Sequence, residues 1–214
     1  MKYFIANWKA HKDLPETNDW ITKFLATYKA DENKKIIICP PLPLIFSLKE
    51  KIKDIPNLHL GAQNISDIDE GNFTGEVTAK SLHGLVDFVI LGHSERRRLF
   101  NETSEALAKK IRLAKKYNLQ SILCIRNKED LVTESTKFLA YEPTHAIGTG
   151  ENESLPEVIV AKKSLNIPSE TIFIYGGSVN SVNVKTYFNT SEISGFLIGT
   201  ASLSAEEFTN IISS

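Results

Sequence analysis

Eight short apolar runs, at residues 3–6, 35–39, 58–62, 88–91, 121–125, 138–141, 172–175 and 195–198, set the terms on which this chain of 214 residues can fold. Each is rich in Ile, Val, Leu or Phe, and each is continuous instead of alternating, so a strand made from it has both faces covered. That is the condition of a parallel sheet. Stretches with helical periodicity fall between most of the runs, at 17–28, 44–52, 103–117, 155–165 and 205–212. Ser154 with Glu157, and Ser204 with Glu207, have the spacing of a reciprocal helix cap, and Pro156 stands where a first helical turn tolerates it. Eight β units in 214 residues leave about 27 residues per unit. No linker-like composition divides them, so the expected architecture is one α/β domain over 1–214, a (β/α)8 barrel of eight parallel strands. A doubly wound open sheet is the alternative. It would normally carry a glycine-rich turn after its first strand, where this chain has Asn7-Trp8-Lys9.

A formal net charge of −1 and the lack of any basic block imply neither a nucleic-acid nor a membrane-surface partner. No apolar run approaches the ~18 residues of a membrane span, and the run at 3–6 is too short for a signal-peptide core, so the expected location is the cytoplasm. Cys39 and Cys124 each end an apolar run and suit small core thiols better than a disulfide. The histidines, His11, His59, His83, His93 and His145, show no ligand spacing, and no metal or cofactor is implied.

In a parallel barrel, chemistry sits at the carboxyl ends of the strands, so the polar residues that directly follow the runs are the ones to examine. They are Asn7 and Lys9 after the first, Gly92-His93-Ser94-Glu95 after the fourth, Glu142 after the sixth, Gly176-Gly177-Ser178 after the seventh and Gly199-Thr200 after the eighth. Glu142 opens a stretch containing Pro143, Gly148 and Gly150, which can be strand, acid, movable flap; taken by itself it reads better as an ordinary turn with an exposed glutamate. Two glycine turns on the final strands suit a phosphate dianion held by backbone N–H groups. His93, ahead of a helix starting near Ser94, is either a satisfied core histidine or an imidazole kept neutral by the helix N-terminus. One carboxylate, one neutral imidazole, one ammonium and a phosphate cradle fit proton abstraction beside the carbonyl of a small phosphorylated substrate. The segment 64–78 has no helical period and reads as a binding or assembly loop, or else as plain surface.

Taken together, Asn7-Trp8-Lys9, Leu91-Gly92-His93-Ser94-Glu95-Arg96-Arg97, Ala140-Tyr141-Glu142-Pro143, Tyr175-Gly176-Gly177-Ser178-Val179 and Phe196-Leu197-Ile198-Gly199 resemble the triosephosphate isomerase family, in the family's order and essentially end to end. The resemblance implies a TIM barrel that interconverts dihydroxyacetone phosphate and D-glyceraldehyde 3-phosphate, in glycolysis and gluconeogenesis, without a cofactor. It implies that Glu142 shuttles the proton through an enediolate, that His93 is the neutral electrophile, that Lys9 stabilises the anionic substrate, that Asn7 orients both, and that Glu95 bonds near Lys9 and His93. Gly148, Ser178, Gly199 and Thr200 match the positions whose backbone holds the phosphate. The tip Asn72-Phe73-Thr74-Gly75-Glu76 resembles the family's interdigitating loop, which implies a homodimer or a tetramer, with Thr74 at the partner's active site and Glu76 paired with Arg96.

Three departures stand out. The chain is short for the family, and the segments after the fifth strand and after Gly150 are clipped, so the helix after the fifth strand is expected as a stub. The family's Cys-Ile-Gly-Glu reads Cys124-Ile125-Arg126-Asn127, and the flap's usual tryptophan is His145. These last two combine into an expected His145–Asn127 latch, or they are drift at a loop surface. Two other functions compete: an aldolase using Lys9 as a Schiff base, and a non-catalytic phosphosugar-binding barrel.

Overall fold

The computed structural model describes residues 1–130, 136–143 and 152–214. Its strands are β1 (Lys2–Asn7), β2 (Lys34–Cys39), β3 (Leu58–Ala62), β4 (Phe88–Leu91), β5 (Gln120–Ile125), β6 (Phe138–Tyr141), β7 (Ile172–Tyr175) and β8 (Gly195–Ile198). Every neighbour pair is parallel, and β1 also pairs with β8, so the sheet closes into a barrel in chain order. Tyr3, Ile5, Ile37, Phe88, Ile90, Ile122, Phe138, Ile174 and Leu197 fill one core cluster, whereas Phe4, Ala6, Ile36 and Ile38 belong to the second, larger cluster shared with the helices. Successive residues of a strand therefore serve the barrel interior and the helix layer in turn, and this is why the apolar runs are unbroken. Barrel closure also needs a glycine. At the Tyr3–Gly195 register pair a Cβ on Gly195 would run into the Tyr3 carbonyl oxygen.

The helices are α1 (Leu14–Thr27), α2 (Ile45–Ile52), α3 (Ala79–Leu82), α4 (Ser94–Leu99), α5 (Ser104–Lys116), α6 (Leu155–Ser164), α7 (Val184–Phe188) and α8 (Ala205–Ile212). α1 begins earlier than its apolar period suggests. Asp13 and Glu16 cap it reciprocally and Pro15 lies in its first turn, so the polar start, not the hydrophobic pattern, sets the boundary. The Ser154–Glu157 box forms as expected. At α8 only half of the box forms: Ser204 accepts from Glu207 N–H, but the Glu207 carboxylate bonds Ser181 instead. α3 and α7 are four and five residues long, too short to display a period in sequence. After β5 the described chain makes one 3-10 turn, Lys128–Asp130. The segment 64–78 carries no helix or strand.

Trp8 shows how the fold prepares the strand ends. It follows β1, is wholly buried, and packs its ring 4.8 Å from that of Trp20 on α1. Trp20 stacks in turn on Phe24, and Phe24 meets Phe208 of α8. Because side chains alternate, driving Trp8 into the helix layer leaves Asn7 and Lys9 facing the barrel mouth.

Candidate active site

The polar residues picked out at the strand ends converge. Asn7, Lys9, His93, Glu142, Gly176, Ser178, Gly199 and Thr200 surround one cavity of about 270 Å³ at the carboxyl ends of the strands. Glu95 lines a neighbouring cavity of about 500 Å³ that shares Asn7, Lys9 and His93 with the first.

Glu142 is the best-held group. It is 2 % exposed, its Oε1 lies 2.9 Å from His93 Nε2, and its Oε2 accepts from the Ser94 N–H at 2.9 Å. Its own N–H donates to the Ile125 carbonyl, which fixes the backbone between β5 and β6. A Cβ on Gly176 would stand 3.1 Å from the Glu142 Cγ, so a larger residue there would press on the carboxylate. Burial acts to raise the Glu142 carboxyl, but the facing imidazole and the Ser94 N–H outweigh it and hold the group below the ordinary glutamate range. The thiol of Cys124, buried below, is pushed well above its usual value by that burial and by the Glu142 charge.

His93 is the N-cap residue of α4. Its burial disfavours the imidazolium, whereas the carboxylates of Glu142 and Glu95 pull its pKa above the ordinary value against the opposing charge of Lys9. The backbone discriminates between these tendencies. Nδ1 accepts the Glu95 N–H at 3.2 Å and must carry a lone pair there, so the proton sits on Nε2 and is donated to Glu142. We assign the neutral form, because an imidazolium would point a second N–H at that backbone donor.

Lys9 adopts a left-handed backbone, φ 52°, and donates its N–H to Asn7 Oδ1 at 3.1 Å. Its ammonium bonds Glu95 Oε1 at 2.6 Å across the β1 and β4 ends. Gln63, the first residue after β3, donates to the Lys9 and Cys39 carbonyls at 2.8 and 2.9 Å. Examining every residue that directly follows an apolar run singles out Gln63 as well, although sequence reasoning passed over it.

On the opposite wall, Ser178 also has positive φ, 51°, and Asn183 donates to its carbonyl at 3.0 Å. Gly177 lies so close to the Tyr175 hydroxyl that a Cβ would overlap it. That hydroxyl accepts the Glu153 N–H at 2.9 Å, and the Tyr141 hydroxyl donates to the Glu153 carboxylate at 3.2 Å. The ends of β6 and β7 are thereby fastened to the chain ahead of α6.

Gly148, Gly150 and His145 lie in 144–151, outside the described residues, and so does the expected latch. Asn127 itself accepts the Glu129 N–H at 3.1 Å and closes its own turn. Nor do Glu76 and Arg96 pair within one chain: Glu76 accepts from Ser66 and Arg96 bonds Glu102, so the expected pairing is possible only between two copies.

This constellation can take a proton from carbon at Glu142 and supply hydrogen-bond donors to a developing oxyanion from His93 Nε2 and Lys9 Nζ. Among the described residues no cluster of His, Cys, Asp or Glu could hold a metal ion.

Comparison with known proteins is consistent from end to end. A model of the family described as triosephosphate isomerase matches residues 2–214. The triosephosphate isomerase of Dictyoglomus turgidum is 36% identical over 247 aligned positions, covering 100% of this chain and 99% of the relative. Those of Mesomycoplasma hyopneumoniae and Aquifex aeolicus are each 35% identical and cover 99% and 97% of this chain, with 98% and 96% of their own length matched. The alignment with the Dictyoglomus protein is longer than this chain of 214 residues, so that relative carries segments absent here.

Proposed function

The chain belongs to the triosephosphate isomerase family, and on that premise we propose that it interconverts dihydroxyacetone phosphate and D-glyceraldehyde 3-phosphate with Glu142 as the base and His93 as the neutral electrophile. The observation that carries this reading is the buried Glu142–His93 contact at 2.9 Å, in one cavity with Lys9 and the loops after β7 and β8. The pairing of a carboxylate base with a neutral imidazole is the established pattern of triosephosphate isomerase itself, and it is carried over to these residues.

In the forward step the Glu142 carboxylate takes a proton from the hydroxymethyl carbon of the ketose. The C–H electron pair becomes the C=C bond of the enediolate and the carbonyl π pair moves onto oxygen. His93 Nε2–H and the Lys9 ammonium stabilise that oxygen, with Asn7 orienting and Glu95 holding Lys9. Protonated Glu142 then returns the proton to the neighbouring carbon, the C=C pair forming the new C–H bond, while the hydroxyl proton on the first oxygen passes through His93 Nε2 to the second oxygen and the O–H pair it leaves becomes the π bond of the aldehyde. Glu142 must first release Ser94 N–H and His93, so substrate has to compete for both. The phosphate rests on the backbone at Ser178, Gly199 and Thr200, with Gly148 added on the family likeness alone.

The arrangement of Lys9 speaks against an aldolase. Its ammonium is tied to a carboxylate at 2.6 Å, whereas a Schiff-base lysine needs an apolar pocket that lowers its pKa.

The same reading makes the protein a cytoplasmic homodimer; no described helix is long and apolar enough to cross a membrane. The cavity containing Asn7, Lys9, Gln63, Glu95 and Arg96 accepts the tip around Thr74 from a second copy, and exposed Leu42, Phe46, Phe73, Leu99 and Phe100 supply apolar contact. A fully active monomer in sedimentation would refute this assembly.

A coupled isomerisation assay tests the activity. Wild type should turn over, and Glu142→Asp, which withdraws the carboxylate by one methylene, should lose about 10²-fold or more in kcat with KM little changed. An inactive wild type, or substrate trapped on Lys9 by borohydride, would overturn it.

A further inference from the structure

The turn after β5 carries a buried charge cluster that the proposed chemistry leaves unused. Asp130 is 5 % exposed. Its Oδ2 accepts from Arg126 N–H and Nε at 2.9 and 2.7 Å, and its Oδ1 accepts from Arg126 Nη2 at 2.8 Å. Arg97 of α4 approaches the same carboxylate at 3.5 Å and donates to the Asp130 carbonyl at 3.0 Å. Beyond that, Arg97 donates to the carbonyls of Gly92 at 2.9 Å and Cys124 at 3.3 Å. One carboxylate thus faces two guanidiniums, of which the Arg97 side chain is only 6 % exposed.

Both arginines belong to the frame of the proton-transfer pair. Gly92 is the residue before His93 and has φ 71°, so the Arg97–Gly92 bond holds the peptide from which His93 projects. Arg126 follows Ile125, whose carbonyl holds the Glu142 N–H at 2.8 Å. Opposite charges a short distance apart in a buried site are strongly felt, and removing one partner leaves the other uncompensated.

We propose that Asp130 is a positioning residue for the His93–Glu142 pair, acting through Arg97 and Arg126 to fix the ends of β4 and β5 and to keep the Arg126 guanidinium from competing for the Glu142 carboxylate. The proposal rests on the isomerase reading. Arg126 and Asp130 lie four residues apart in sequence, and Arg97 is far removed from both, so only the fold assembles the cluster.

The test compares wild type, Asp130→Asn, Arg126→Gln and the double variant in steady-state kinetics, with circular dichroism confirming the folded state at the assay temperature. Asp130→Asn leaves both guanidiniums without their carboxylate, and kcat should fall about tenfold or more while KM stays within about twofold. Arg126→Gln removes a partly exposed cation and should cost a few-fold in kcat. Combining the two removes one negative and one positive charge, and kcat should recover from the Asp130→Asn value toward that of Arg126→Gln. A merely structural anchor would show itself in the folded fraction and not in a kcat loss with KM held, and that split is what distinguishes positioning. Unchanged kcat in folded Asp130→Asn, or a double variant no better than Asp130→Asn, would overturn the proposal. Should Asp130→Asn not fold, an unchanged kcat in Arg126→Gln would overturn it equally. An inactive wild type would instead refute the isomerase reading.

Discussion

Trp8 offers a quantitative test of how the barrel wall supports the site. Its side chain is 0 % exposed, yet its indole Nε1 has no hydrogen-bond partner among the described residues, in contrast to Trp20, whose Nε1 donates to the Ser202 carbonyl at 3.1 Å. Two opposing terms follow. Truncation to alanine removes a buried aromatic and leaves a cavity, for which the cost is about 3–5 kcal/mol. Replacement by phenylalanine loses only part of the ring system, about 1–2 kcal/mol from transfer and residual cavity together. It also removes a buried donor with no acceptor, and the relief is about 1–3 kcal/mol. Trp8→Phe should therefore lie within about 1 kcal/mol of wild type, retaining a ring for Trp20 and for the Lys12 ammonium that sits 5.4 Å from the Trp8 centroid. Urea unfolding followed by far-ultraviolet circular dichroism, at one fixed protein concentration, measures both variants. The alanine variant should lower the midpoint by roughly 1 M or more. A loss above about 2 kcal/mol in Trp8→Phe would show that the orphan N–H carries no penalty, contrary to the desolvation argument.

Two further outcomes can be checked on the same apparatus. Burial alone would raise Glu142 and Asp130, but His93 and the arginines hold both below the ordinary range, and the hydrogen bond from His59 does the same for Asp87. Their stabilising contribution is complete above the unfolded-state values of about 4 and is lost as pH falls through the lower folded-state values, so the urea midpoint should drop on acidification below about pH 5; a flat midpoint down to pH 3.5 would contradict this. Gly195→Ala should destabilise by about 1–3 kcal/mol or more, because the new methyl meets backbone and not a movable side chain; a midpoint equal to wild type would mean that β1 and β8 can part at no cost.

Much of the fold was legible because strands buried on both faces write unbroken apolar runs. Five strands, β3, β4, β6, β7 and β8, have the very bounds their runs indicate, and the other three extend by one residue at one or both ends. The helices were less legible where polar chemistry set the limit. Asp13 starts α1, and Glu207 leaves its own cap for Ser181, a bond between residues 26 apart that no local spacing announces.

The site divides in the same way. That Asn7, Lys9, His93, Glu142, Ser178, Gly199 and Thr200 follow strands is a property of the chain, and parallel topology obliges residues so placed to meet at one end of a barrel. Sequence by itself thus picked out the polar residues that line the cavity after β1, β4, β6, β7 and β8. It could not determine the other partners: that Glu142 rests on Ser94 N–H as well as His93, that Gln63 holds the Lys9 carbonyl, or that Asp130 sits between Arg97 and Arg126. Those contacts join residues on different strands and turns, and their distances depend on register and burial. Local pattern encodes which way a side chain points, but only the closed barrel decides what it meets there.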